Sequence, residues 1–147
     1  LLLRAPAGAE LARSTVRAFL RAAVDETPER LELLLAPDAV VDTGVGRQPA
    51  RSFWQTRLAQ LDYTELRGQL LFRDSDVQTF RAEDLQRLPP GRRIPLELSP
   101  DEVAVRVPIR ISWTGRARLF GDELLFRLQP AAGRFEIAEI SEDFRLP

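Results

Sequence analysis

Three groups of side chains in this sequence have types and spacings that suit chemistry. Asp42 comes directly after the apolar run Ala39-Val40-Val41 and just before Gly44 and Gly46. A carboxylate held beside apolar walls at a pocket mouth has a raised pKa and can move protons. The same position suits a carboxylate that accepts hydrogen bonds from the amides of a glycine loop. Arg106 and Arg110 flank Pro108 at two residues on either side, so an extended strand puts them on one face. There they could clamp a carboxylate or phosphate in bidentate fashion. The alternative is a solvated outer face, with cross-strand partners among Glu136, Glu139 and Glu142. Phe19, Phe53, Trp54, Tyr63, Trp113 and Phe126 could line an apolar pocket or simply fill a core. Arg73-Asp74-Ser75-Asp76 holds two close carboxylates, but no further ligand follows at calcium-site spacing, so a turn is expected there and no metal.

Composition narrows the chemistry further. The 147 residues contain no cysteine and no histidine. Disulfides and thiolate metal sites are therefore excluded, and so is the side chain most often used as a base near neutral pH. Lysine, asparagine and methionine are absent too, and all 21 basic residues are arginine. Arginine alone would suit an anion-binding surface, but the pattern also follows from avoidance of A-rich codons in a GC-rich bacterial genome. The formal net charge of −1 gives no field that would steer nucleic acid or an anionic membrane toward the chain. Hydrophobic residues make up 44% and charged residues 29%, the balance of a globular domain. One domain over 1–147 is expected, with a core that needs no staple. No stretch approaches the length of a membrane span. The first residue is Leu1, and Leu1-Leu2-Leu3-Arg4-Ala5-Pro6-Ala7-Gly8 reads as a linker or the remnant of a processed leader. Both a cytoplasmic and a periplasmic or secreted setting fit that reading.

These side chains must be positioned by helices in the first half and strands in the second. Ala12, Val16, Phe19, Leu20, Ala23 and Val24 form one stripe at helical period. Thr27-Pro28-Glu29 is a helix start, with a capping residue, a first-turn proline and an acid at the positive end of the dipole. The short helix that follows buries Leu31, Leu34 and Leu35 and is ended by Pro37. Ala39–Val41 reads as a brief strand. Pro49 opens a third helix carrying Phe53, Trp54, Leu58 and Leu61.

Leu66–Phe72 and Val77–Phe80 read as strands, and Ala82–Leu88 as one or two helical turns closed by Pro89-Pro90-Gly91. Arg92 and Arg93 fall in an exposed loop. Three long strands follow: Ile94–Leu98 continuing into Val103–Trp113, then Ala117–Leu128, then Arg134–Phe144. From Val103 to Trp113 the apolar residues alternate with period two. A three-residue loop, Thr114-Gly115-Arg116, pairs Trp113 with Ala117 and Ile111 with Leu119, so apolar meets apolar. That register sets Ile109 opposite Gly121 and Pro108 beside Asp122. Proline cannot donate to a ladder and glycine marks a bend, so the sheet should kink there. The expected class is α+β: cone-like, with N-terminal helices packed on a strongly bent, mostly antiparallel sheet.

The order of these elements resembles the nuclear transport factor 2-like superfamily, which includes ketosteroid isomerases, polyketide cyclases and scytalone dehydratase. Val16-Arg17-Ala18-Phe19-Leu20-Arg21-Ala22-Ala23 is similar to its first-helix pattern. Leu34-Leu35-Ala36-Pro37-Asp38-Ala39-Val40-Val41-Asp42 is similar to its recurring segment before the shuttle acid. Ser52-Phe53-Trp54 is similar to its third-helix aromatic pair. The resemblance implies a proton shuttle at Asp42 or Thr43. It puts Phe19 where the isomerases carry an oxyanion-hole tyrosine, and it puts the second acid near Leu124, two residues from Asp122. The aspartate–histidine pairing of the cyclases has no histidine to use. Expectation therefore leans away from an enzyme, and toward an accessory, dimerising or protein-interaction module of a bacterial protein, with the envelope as one candidate setting. Its exposed sheet face would carry a second copy or a partner domain. Binding of a small apolar or anionic molecule in the cone is the alternative, and proton transfer by Asp42 the third reading. No cofactor is expected.

Overall fold

A computed structural model describes residues 8–89 and 96–142 of the chain. Of the first eight residues, read above as a linker or leader remnant, 1–7 lie outside the described residues. So do the loop at Pro90-Gly91-Arg92-Arg93, the strand start at Ile94 and the strand end at Phe144.

The first helix, α1 (Ala9–Val24), follows its apolar stripe: Ala12, Val16, Phe19, Leu20 and Ala23 are buried. Gly8 starts it at φ 112°, and a Cβ there would meet the Phe135 ring at 2.9 Å, so both backbone and space require glycine. Helix α2 (Pro28–Leu33) begins where the sequence indicates, with Pro28 in the first turn, but Thr27 at the cap position turns its hydroxyl to Asp25 O at 3.5 Å and caps no helix amide. It ends earlier than Pro37. Strand β1 (Leu35–Asp42) already includes that proline, and its register against its neighbour shifts between Leu35 and Val40. A proline lacks the ladder N–H, so it is tolerated at this irregularity. A short strand β2 (Arg47–Pro49) leads into α3 (Ala50–Gln60).

The expected strand over Leu66–Phe72 does not form. Thr64–Leu66 is a 3-10 turn, and the chain then runs without a ladder partner to a second turn at Asp74–Asp76. Arg13 of α1 binds this stretch through the carbonyls of Val77 (3.2 Å) and Asp74 (3.0 Å). Strand β3 (Gln78–Phe80) and helix α4 (Ala82–Gln86) follow, then β4 (Val103–Pro108). A small hairpin, β5 (Trp113–Thr114) and β6 (Ala117–Arg118), precedes the long pair β7 (Glu123–Ala131) and β8 (Arg134–Glu142). The main sheet runs β2-β1-β8-β7-β4-β3, with β1 and β8 parallel and every other pair antiparallel. It is strongly curved, and the helices cover its inner face.

The hairpin register differs by one residue from the expected one. Trp113 pairs with Arg118 and Thr114 with Ala117, around a two-residue turn at Gly115-Arg116. Further along, Val103 meets Leu128, Val105 meets Phe126 and Val107 meets Leu124. The rule that apolar pairs with apolar holds in the buried part of the ladder. It fails at Trp113 because that ring is 46% exposed and stacks under the Arg118 guanidinium at 5.5 Å. The expected break is present: β4 stops at Pro108, β7 starts only at Glu123, and Ile109 N–H donates to Asp122 O at 2.9 Å across the gap.

The core is continuous from α1 across β1, β8, β7 and β4. At its centre five rings touch edge to face or at a tilt: Phe19, Trp54, Tyr63, Phe120 and Phe126, with neighbouring centroids 5.2–6.0 Å apart. All five are 0% exposed. Aromatic pairs in such geometry add stabilisation beyond their buried area.

Candidate functional site

The strongest polar cluster inside the molecule lies where α3, β8 and the chain before β7 meet. It forms because β8 changes face partway along. Phe135 and Ile137 point into the core, and the β7–β8 register then shifts between Arg127 and Leu128. One extra residue turns the strand over, so Ile140 and Glu142 point inward while Glu139 faces out. The Glu142 side chain is completely buried. Its Oε1 accepts from Arg57 Nη1 at 2.6 Å and its Oε2 from the Gly121 N–H at 3.0 Å. Burial pushes the Glu142 carboxyl above the usual carboxylate range, against the opposing pull of Arg57, the Gly121 amide and Arg118. Arg57 is itself buried, on the face of α3 that also carries Trp54. Its guanidinium lies 5.1 Å from the Trp54 ring and 5.2 Å from the Phe53 ring.

Tyr63 borders this pair, donating its hydroxyl to Leu119 O at 2.6 Å. Burial holds its phenol well above the ordinary value of 10; Glu142 and Glu26 push the same way, and Arg57 opposes them. The contribution of a group raised in this way is complete below pH 10 and lost as pH rises toward the higher folded value. Because this is the single tyrosine of the chain, its ultraviolet titration is unambiguous. The folded protein should show no tyrosinate as pH passes 10. The signal should appear together with loss of tertiary structure. Titration at the ordinary value in an intact fold would show the hydroxyl to be exposed.

Beside the cluster runs an open groove of about 420 Å³, lined by Gln48, Ser52, Phe53, Thr56, Arg57, Gln60, Leu61 and Arg118. Arg118 reaches it from β6, with Nε donating to Phe120 O at 3.2 Å and Nη2 3.3 Å from Asp122. A second open groove, of about 780 Å³, lies between α1 and the unpaired stretch after Leu66.

The residues singled out from the sequence are dispersed. Asp42 is not at a pocket mouth. Val41 is fully buried in the core, so alternation turns Asp42 to the outer face, where its Oδ1 accepts from the Gly44 N–H at 2.9 Å. Arg106 is held by Glu123 at 2.5 Å and reaches Gln78 at 3.5 Å. Arg110 lies beyond the end of β4, exposed, and its side chain has no partner among the described residues. The acids expected to pair with these arginines go elsewhere: Glu139 to Arg47 and Arg127, Glu136 to Gln129, Glu142 to the interior. Phe19, Trp54, Tyr63 and Phe126 fill the core, Trp113 lies outside it, and Phe53 lines the groove. The indole N–H of Trp54 has no partner among the described residues, so that ring acts by packing. Leu124 is also core, and Asp122 is exposed beside Ser112 and Arg118. Among the described residues no group of three or more acids could hold a metal ion, and no helix is long and apolar enough to cross a membrane.

Sequence reasoning missed Arg57 and Glu142. The signal for Glu142 was present: Phe135 and Ile137 are two apart, but Ile137 and Ile140 are three apart, the spacing a bulge produces. Arg57 had a signal as well: it stands four residues after Phe53, three after Trp54 and four before Leu61, on the apolar face of α3.

No family model matches the chain, and no curated protein matches it. Its fold does match solved structures. An NTF2-like protein of unknown function from Pseudomonas putida superposes with a TM-score of 0.61 at 9% identity, over 95% of this chain and 87% of that one. An uncharacterized protein with a cystatin-like fold from Caulobacter vibrioides gives 0.58 at 13% identity, over 95% and 91%. A proposed ketosteroid isomerase from Shewanella frigidimarina gives 0.57 at 12% identity, over 90% and 94%. At these identities the likeness speaks for architecture alone, and with the curved sheet and its helical cover it identifies the chain as a nuclear transport factor 2-like cone fold.

Proposed function

We propose that this chain is a non-catalytic binding module, and that it takes a small organic molecule in the groove along α3. The observation that carries this reading is the aromatic filling of the cone. Phe19, Trp54, Tyr63, Phe120 and Phe126 occupy the space in which a substrate would sit, and the Tyr63 hydroxyl is committed to a backbone carbonyl. Asp42, the expected base, is outside and engaged by its own loop. The α3 groove has the size usual for small-molecule sites, with apolar surface from Phe53 and Leu61 and hydrogen-bonding groups from Ser52, Thr56 and Gln60.

A partner on the outer sheet face has less support. Arg47, Glu139, Arg127 and Glu102 already pair with one another there at 2.6–3.3 Å, which leaves few charges for a partner to satisfy.

The test is an amide-resolved NMR titration with a neutral aromatic probe, 2-naphthamide. Shifts should concentrate at Ser52, Thr56 and Gln60 and be absent at Phe19 and Phe126. The exposed Thr56, replaced as Thr56→Trp, should fill the groove and abolish them. Shifts confined to the core, or none at all, would remove the groove from consideration.

A further inference from the structure

Residues 67–77 run along one flank of α1, from Asp25 just past its end back to Arg13, and none of them belongs to a strand. Leu71 and Val77 are the buried side chains of this segment, at 8% and 9% exposure. Beyond local bonds to the turn before it, the segment is held at three points among the described residues. Arg67 Nη2 donates to Asp25 O at 3.3 Å. The Arg110 N–H donates to Leu71 O at 2.7 Å. Arg13 donates from its two terminal nitrogens to Val77 O at 3.2 Å and to Asp74 O at 3.0 Å, with 24% of its side chain exposed. Gly68 stands at φ 78°, with nothing within 4 Å of a Cβ, so its backbone can turn without displacing a neighbour. Beneath the segment lies the groove of about 780 Å³, whose lining includes Leu20, Leu66 and Leu71 of the core.

We propose that residues 67–77 form a strap that lifts from α1 while the rest of the fold stays intact, with Arg13 as its clasp and Gly68 as its hinge. A segment with few buried side chains and no ladder opens locally at lower free energy than the core. The clasp suits arginine, whose planar fork serves two carbonyls at once, where lysine offers a point charge. Bonds from a charged donor are about twice as strong as neutral ones. The ion pairs of Arg17 with Asp74 and of Arg67 with Asp25 face water and hold the strap weakly. Arg13 therefore governs the end of the strap next to β3. Lifting that end breaks the Arg110–Leu71 bond, withdraws Leu71 and opens Leu20 and Leu66 to the groove. The strap thus sets access to the core flank of the groove beside α1, and it stands independently of the reading of the α3 groove.

The experiment is amide hydrogen exchange on the full chain under native conditions. The Arg110 N–H reports the strap, because its acceptor Leu71 O leaves when the strap lifts. The Ile137 N–H, which donates to Leu34 O at 2.8 Å, reports the core. In the wild type the Arg110 amide should exchange faster than the Ile137 amide. Arg13→Gln should accelerate Arg110 about tenfold, the worth of one bond to a charged donor, and change Ile137 by less than about twofold. Arg13→Lys keeps the charge and most of the stem, which guards against misfolding, and should accelerate Arg110 by a smaller factor. Acceleration of both amides by the same factor would mean that Arg13 supports the whole fold. An Arg110 amide unmoved in both variants would mean that Arg13 clasps nothing. Either result would overturn the strap.

Discussion

Replacing Glu142 with alanine should cost about 3–5 kcal/mol of folding stability, the loss typical of a broken buried ion pair. The reason lies in what remains. Arg57 would keep its charge in a site where only 8% of its side chain reaches solvent, and the Gly121 amide would lose its acceptor. Denaturant unfolding at neutral pH measures the loss. Two controls give the number meaning. Arg57→Leu combined with Glu142→Leu should be far less damaging than the sum of the single substitutions, because no charge is then stranded. Removing Glu123, the half-exposed partner of Arg106, should change stability by at most about 1 kcal/mol despite a contact as short, 2.5 Å, because water takes over its role. A Glu142→Ala variant as stable as the wild type would mean that the pair is not buried as described.

How much of this was legible beforehand follows a physical division. Local signals read well. The stripe from Ala12 to Val24, the Thr27-Pro28 helix start and the Pro108 break each depend on a few neighbouring residues, and each is in place. Pairings decided elsewhere in the fold did not. Leu66–Phe72 has strand composition, but its backbone contact beyond the end of β4, Arg110 N–H to Leu71 O at 2.7 Å, does not continue into a ladder. The hairpin register was judged at Trp113, a ring that lies outside the core, when the buried Val105–Phe126 pair should have decided it. The site suffered most, since a single extra residue between Ile137 and Ile140 reverses which acids face inward. Glu142 thereby turns to the core, while Asp42, on β1, turns outward because Val41 is buried and takes the glycine-loop amide, the second of its two expected roles. The resemblance to the isomerases pointed to the right architecture but could not see that this chain closes the cone with its own rings.

That closure is open to direct challenge through Trp54→Ala. Trp54 is fully buried and stands at the junction of the cluster, 5.2 Å from Phe19, 5.9 Å from Tyr63 and 6.0 Å from both Phe53 and Phe120. Its truncation should lower stability by about 3–5 kcal/mol, because the transferred surface is lost and the surrounding rings cannot collapse fully into the space. The ring contributes no hydrogen bond among the described residues, so the loss comes from packing, the cavity and the contact with the Arg57 guanidinium at 5.1 Å. The cavity itself makes a second, independent readout. A space walled by Phe19, Tyr63 and Phe120 should admit an apolar guest, and indole at a concentration well above its dissociation constant should raise the variant's melting temperature by mass action. The wild type should gain nothing from indole through its core. If the wild type took up indole among these rings, or if the variant lost less than about 1 kcal/mol, the cone would be a pocket and not a core. A ligand would then belong inside it, beside Tyr63 and Arg57, and the groove along α3 would be its entrance. The outcome expected here is the other one: the five rings fill the interior of the cone, and the proposed ligand is left to the groove along α3.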